Sequence, residues 1–214
     1  MSEHVQIQTY ATYTQQTLQE ILQRYQDVIA HLGCDDPQAL TWISQIEWPT
    51  ADDDSFGDIY AAPFRLTTDQ KQSIDCIGMS ISFYTQLAVP SIEALPTWIG
   101  FNLLFDAQSL RKEHTSVYTA EAGVIIWHLM AVLAKSFREI GVYFTDSWQE
   151  NLSWRVLSED VGDPWSFDLA IFPRTQAKHF AVVPSGFQGT MVEQDFCFAQ
   201  ENRWVMLPWQ TNNS

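Results

Sequence analysis

Basic residues are scarce in this sequence. Its 214 residues include 11 Lys and Arg against 26 Asp and Glu, for a net charge of -15. A nucleic-acid interface needs a basic footprint to meet phosphates, and attraction to an anionic membrane surface needs the same, so both partners are argued against. Cysteine is also scarce. Cys34, Cys76 and Cys197 are odd in number and widely spaced, which excludes a disulfide scaffold or a four-cysteine zinc site within the chain. Long apolar runs are missing too. The longest, Gly123 to Ala134, is broken by His128 and is too short to span a bilayer. Met1-Ser2-Glu3-His4 shows no basic region before an apolar run, so no secretory signal is read and a reducing cytoplasm is the expected location.

Charge of either sign is thin, at 17% of residues where about 25% is usual. Apolar residues make up 46% and aromatics 14%, nine of them Trp, enough to build a core and to argue against disorder.

Hydrophobic spacing predicts a helix from Tyr10 to Leu32, with Tyr10, Tyr13, Leu18, Ile21, Leu22, Tyr25, Val28 and Ile29 on one stripe and Gly33 closing it. Asp36 and Pro37 read as the cap and first residue of a second helix that fades before Pro49. Residues 1–48 therefore form a helical hairpin. In residues 56–214, the alternation of Ile77, Met79, Ile81 and Phe83 predicts a strand, and Trp98–Asp106 another. A central helix runs over 120–140, capped by Thr119 and ended by Gly141. Short strands are expected at Val142–Thr145, Leu152–Leu157, Phe167–Phe172, His179–Val183, Val192–Phe198 and Arg203–Leu207. The fold class is α+β in a single domain over 1–214: an N-terminal helical hairpin and a mainly antiparallel sheet with one buried central helix.

The usual catalytic signatures are missing. There is no GxSxG, and the serine of Pro184-Ser185-Gly186-Phe187-Gln188-Gly189 sits in the wrong frame. No phosphate-cradling glycine loop occurs. Asp35 and Asp36 should make Cys34 less reactive by raising its pKa. Among the five histidines, none shares helical ligand spacing with another, and Glu121 and His128 are seven apart. Asp52-Asp53-Asp54 lacks the alternation of a calcium loop. No cofactor and no metal are expected.

Two constellations remain. From Tyr25 to Phe64 there are eight acids and no Lys or Arg. Within this stretch Asp35, Asp36, Glu47, Asp52, Asp53, Asp54 and Asp58, with Trp48 as an aromatic anchor, form a candidate surface for a basic protein partner. Farther on, Asp146, Asp163 and Asp168 lie among Trp148, Trp154 and Trp165. That grouping outlines an alternative ligand site for an enzyme acting on carbohydrate or another small molecule. The Gln-rich face of the first helix motivates a further alternative, an assembly or adaptor protein of a secretion or phage system.

The stretch Glu121 to Leu157 holds a helix, then Gly141-Val142-Tyr143-Phe144-Thr145-Asp146, then a turn into Trp154. In this stretch and in its acidic, aromatic-rich composition, the chain resembles bacterial immunity proteins of polymorphic-toxin and type VI secretion systems. The resemblance implies a cytoplasmic α+β protein that neutralises one cognate toxin by occupying its site, with no catalytic residue of its own.

Overall fold

The computed structural model describes residues 3–14, 16–47, 57–84, 97–149, 152–159 and 162–213. Ten strands and five α-helices alternate along them. The order is β1 (His4–Tyr13), α1 (Leu18–His31), α2 (Pro37–Gln45), β2 (Gly57–Tyr60), β3 (Phe64–Thr67), β4 (Ser73–Cys76), β5 (Gly78–Tyr84), β6 (Thr97–Asp106), α3 (Ala107–Leu110), α4 (Ala120–Ser136), β7 (Val142–Asp146), α5 (Leu152–Glu159), β8 (Leu169–Pro173), β9 (Phe187–Val192) and β10 (Asp195–Gln200). Eight strands form one sheet in the order β2-β5-β6-β1-β7-β8-β10-β9, and β3 and β4 make a separate two-stranded ribbon. Every pairing between these strands is antiparallel. The architecture is thus α+β, with the helical pair α1–α2 near the N-terminus.

Alternation sorts each strand onto two faces, and the register carries the sorting across the whole sheet. One row runs Tyr60, Met79, Leu103, Ile7, Phe144, Leu169, Ala199 and Gln188 from β2 to β9. It is apolar until its last residue, and it belongs to the core that α1, α2 and α4 cover. The adjacent row on the opposite face runs Ile59, Ser80, Asn102, Gln8, Tyr143, Ala170, Phe198 and Gly189. After Ile59 its first half is polar, Ser80, Asn102 and Gln8, and its second half carries the aromatic rings of Tyr143 and Phe198. A separate cluster of Tyr10, Tyr143, Trp154, Phe167, Phe172, Phe180 and Phe198 fills the aromatic half. Trp154 of α5 stacks on Tyr10 at a centroid distance of 5.0 Å, and Phe172 stacks on Phe180 at 4.0 Å. Such pairs contribute about 0.5–1.5 kcal/mol each beyond their buried area.

The helix caps form as the sequence predicts. The Asp36 side chain accepts from the Gln38 amide at 2.9 Å, and the Thr119 hydroxyl accepts from the Ala122 amide at 3.1 Å. Gly33 follows α1 with φ +66°, and an added Cβ would stand 2.5 Å from the Thr67 carbonyl oxygen. The end of α1 is therefore a docking point for β3, where the Thr67 amide also donates to the Leu32 carbonyl.

Several expected elements are corrected. The helix from Tyr10 is instead a strand through Tyr13 and a helix from Leu18. Val5, Ile7, Thr9 and Ala11 alternate with Gln6, Gln8 and Tyr10, and pairing on both sides by β6 and β7 fixes that period. Residues Leu152–Leu157 form α5, not a strand, which sets Trp154 and Leu157 three apart on one helical face. His179–Val183 is replaced by a 3-10 segment, Arg174–Phe180, and the Val192–Phe198 strand is interrupted by the Glu193–Gln194 turn. Arg203–Leu207 makes only an isolated bridge, Trp204 to Tyr118. The central helix ends at Ser136 rather than 140. Strands β2, β3 and β4 were not expected. No helix among the described residues is long and apolar enough to cross a membrane.

Candidate functional site

The described part of the acidic stretch includes α2 and β2, and β2 lies at one end of the sheet. Tyr60 of β2 donates its hydroxyl to Asp36 at the start of α2, and its ring meets Trp42 at 5.7 Å. These contacts seat the outermost strand, β2, against the helical pair. Asp35 is exposed and accepts the Arg65 amide of β3 at 2.7 Å. Glu47 and Asp58 are exposed, and Asp58 accepts the Ile59 amide at 2.9 Å. Ile59 itself is 64% exposed, an apolar side chain on the open edge of an acidic region. Trp48, Asp52, Asp53 and Asp54 lie outside the described residues.

The Tyr60 hydrogen bond holds the Asp36 carboxyl below the ordinary carboxylate range, and the same bond pushes the Tyr60 phenol up to about 12. Burial raises the Cys34 thiol, with Asp35 and Asp36 adding to the effect, so the thiolate is disfavoured as the sequence implies. Cys76 and Cys197 are buried, and burial takes Cys197 up to about 12.

A groove of about 950 Å³ lies between α1 and α4. Glu20, Asp27 and Asp69 contribute carboxylates to its wall, and Arg24, Lys135 and His128 stand among them. Arg24 is tied to Glu139 at 2.7 Å. His128 thus faces a groove, while Glu121, seven residues earlier, is exposed. Among the described residues no group of three or more His, Cys, Asp or Glu side chains is arranged to hold a metal ion.

Within the tryptophan–carboxylate grouping, Trp154 and Trp165 belong to one aromatic cluster. Asp168 is 2% exposed and grips Arg203 through two bonds, of 2.8 and 3.0 Å, while the Tyr118 hydroxyl donates to it at 2.6 Å. Its backbone carbonyl accepts the Trp204 indole N–H at 3.0 Å. Burial pushes the Asp168 carboxyl up, against the lowering pull of Arg203 and Tyr118, and Asp146 adds a smaller push upward. Arg203 stays charged because Asp168 more than offsets the cost of its burial. Asp146, at the end of β7, accepts the Gln149 amide at 3.1 Å. Asp163 is exposed and accepts the Trp165 amide at 3.1 Å. Trp165 packs at 4.9 Å on both Phe187 and Phe198, and Trp154 lies buried on Tyr10. Trp148 falls in the 3-10 turn Ser147–Gln149.

Sequence reasoning missed the partners of Asp168. Arg111, with a side chain 8% exposed, bonds Glu3 at 2.7 Å and extends the Asp168–Arg203–Tyr118 network to the N-terminus. The available signal was the rarity of cations: Arg111 and Arg203 are two of only 11. The polar half of the sheet was missed as well. Gln6, Gln8, Asn102 and Thr145 are each at most 4% exposed, and the Gln6 amide nitrogen has no hydrogen-bond partner among the described residues. Compared with protein-family models, curated proteins and solved structures, the chain finds no match among any of the three.

Proposed function

We propose that this chain is an acidic binding protein that neutralises a basic partner protein by covering its site, in the manner of a toxin-specific immunity protein in the bacterial cytoplasm. One observation carries the reading. The stretch from Tyr25 to Phe64 has eight acids without a Lys or Arg, and its described part folds into the α1–α2 pair and β2, leaving Asp35, Glu47, Asp58 and Ile59 exposed. An exposed apolar side chain next to Asp58 in an acidic stretch suits a partner of opposite potential. The charge steers encounter, and the apolar contact supplies the desolvated anchor.

The test begins with the protein encoded beside this chain in its genome, expressed in bacteria with and without the chain. Growth arrest by the neighbour, relieved by co-expression, is the expected result. Glu47→Lys with Asp58→Lys should then weaken relief and binding at least tenfold while the melting temperature stays nearly unchanged, since both side chains are exposed. A harmless neighbour, or relief undiminished by charge reversal, would overturn the reading.

A further inference from the structure

The two outer strands of the eight-stranded sheet meet solvent in different ways. β2 is four residues long and carries Asp58 within the acidic stretch. Brevity and charge are both devices that keep an open edge from pairing with another chain. β9 has neither. Its six residues, Phe187–Val192, include no charge and no proline. Among the described residues only β10 pairs with it.

The hairpin geometry fixes which groups this edge presents. Glu193 and Gln194 form a two-residue turn, Glu193 with φ +56°, that closes Val192 against Asp195. In such a hairpin the closing pair is hydrogen-bonded and the pattern then alternates. Val192, Thr190 and Gln188 therefore address β10, while Gly189 and Met191 direct their N–H and C=O groups outward. Met191 is 53% and Val192 40% exposed, and Val182 and Val183, just upstream, are 79% and 44% exposed.

Charge identifies the occupant. In a chain of net charge -15, residues 169–192 contain no Asp or Glu, and Arg174, Lys178 and His179 lie among them. Two copies meeting at the acidic end of the sheet repel. Two copies meeting along β9 bring together the outer strand of the eight-stranded sheet that carries no acid. Asp195, beside the turn, is already paired with Arg138. An antiparallel meeting also keeps the two Glu193 side chains at opposite ends of the seam, roughly 20–25 Å apart at strand rise, well beyond a physiological screening length of about 8 Å.

We propose that β9 is the seam of a homodimer in which two copies pair antiparallel, edge to edge, and join their eight-stranded sheets into one. The arrangement is self-complementary: a two-fold axis at Thr190 sets Gly189 of each copy against Met191 of the other, so each outward N–H meets an outward C=O. β9 and β2 stand at opposite ends of the sheet, seven strand spacings or roughly 34 Å apart. A partner on the acidic flank thus leaves the seam free, and the two proposals stand or fall separately.

Sedimentation velocity on the full chain, from low to high micromolar concentration, reads the mass directly. The expected result is a shift from one to two chain masses. Met191→Pro removes the outward N–H but leaves the bonds to β10 in place, and Met191→Lys sets two cations across the seam. Both should halve the mass at high concentration with an unchanged circular dichroism spectrum; Met191→Lys, at an exposed site, keeps the test valid if the proline variant misfolds. In the wild-type chain, amide exchange at Gly189 and Met191 should slow as concentration rises. A single-chain mass at every concentration, a dimer that survives Met191→Lys, or exchange at these two amides independent of concentration would each overturn the seam.

Discussion

Arg203 gives the buried Asp168 carboxylate two of its bonds, and Tyr118 gives it a third. Removing one member of a buried pair leaves the other charge uncompensated, a loss of about 3–5 kcal/mol, whereas removing both costs much less. Arg203→Met should lower the urea midpoint accordingly, and adding Asp168→Asn to it should restore most of the loss; equal destabilisation by the single and double substitutions would show that packing, not charge, sets the cost. None of this was legible in the sequence. Tyr118, Asp168 and Arg203 are separated by 50 and 35 residues, and no local spacing records that they meet. Asp168 was legible as a carboxylate among tryptophans, but its role as the partner of an arginine was not. Asp35 and Asp36 were easier to place, since Asp-Asp-Pro before an apolar helical pattern both caps a helix and holds charge at its exposed start.

At the scale of elements, the bond from Tyr60 to Asp36 joins β2 to α2 and lowers the Asp36 pKa. A carboxyl depressed in the folded state adds stability above its unfolded pKa, about 3.9, and that stability fades as pH falls through the folded value. Tyr60→Phe should therefore return the Asp36 carboxyl toward the ordinary range in an NMR titration. The stability gap between wild type and variant should be widest near neutrality and narrow as pH drops below about 4; a gap independent of pH would mean that the hydroxyl acts only through packing. Helices α2 and α4 and strands β5 to β7 follow signals confined to their own residues: caps, a proline at the first turn, clean alternation. β1 and α5 do not. Tyr10 and Tyr13 fit both the stripe that continues into α1 and the strand that pairs with β6, and long-range pairing decided between them. Leu152, Trp154 and Val156 alternate like a strand, yet the aromatic wall of Tyr10, Tyr84 and Trp98 is met by one helical face.

For the whole molecule, a net charge of -15 opposes compactness through self-repulsion. Sodium chloride should raise the melting temperature by a few degrees between low and near-molar concentration, since the screening length shrinks from about 30 to about 3 Å over that range. A flat or falling melting temperature would mean that the ion pairs of Arg24, Arg111 and Arg203 outweigh the repulsion. The position of β1 has a consequence for how this chain is made. β1 is made before both of its neighbours in the sheet, β6 and β7, between which it lies near the centre. Its neighbours begin only at residues 97 and 142, so both of its edges are bare until β6 is made and one edge stays bare until β7 follows. A nascent chain of this kind completes its sheet late and slowly, with β1 exposed to other nascent chains in the meantime. Gln6, Gln8, Thr9 and Thr12, interspersed with the apolar residues of β1, keep that waiting strand wettable until its partners arrive.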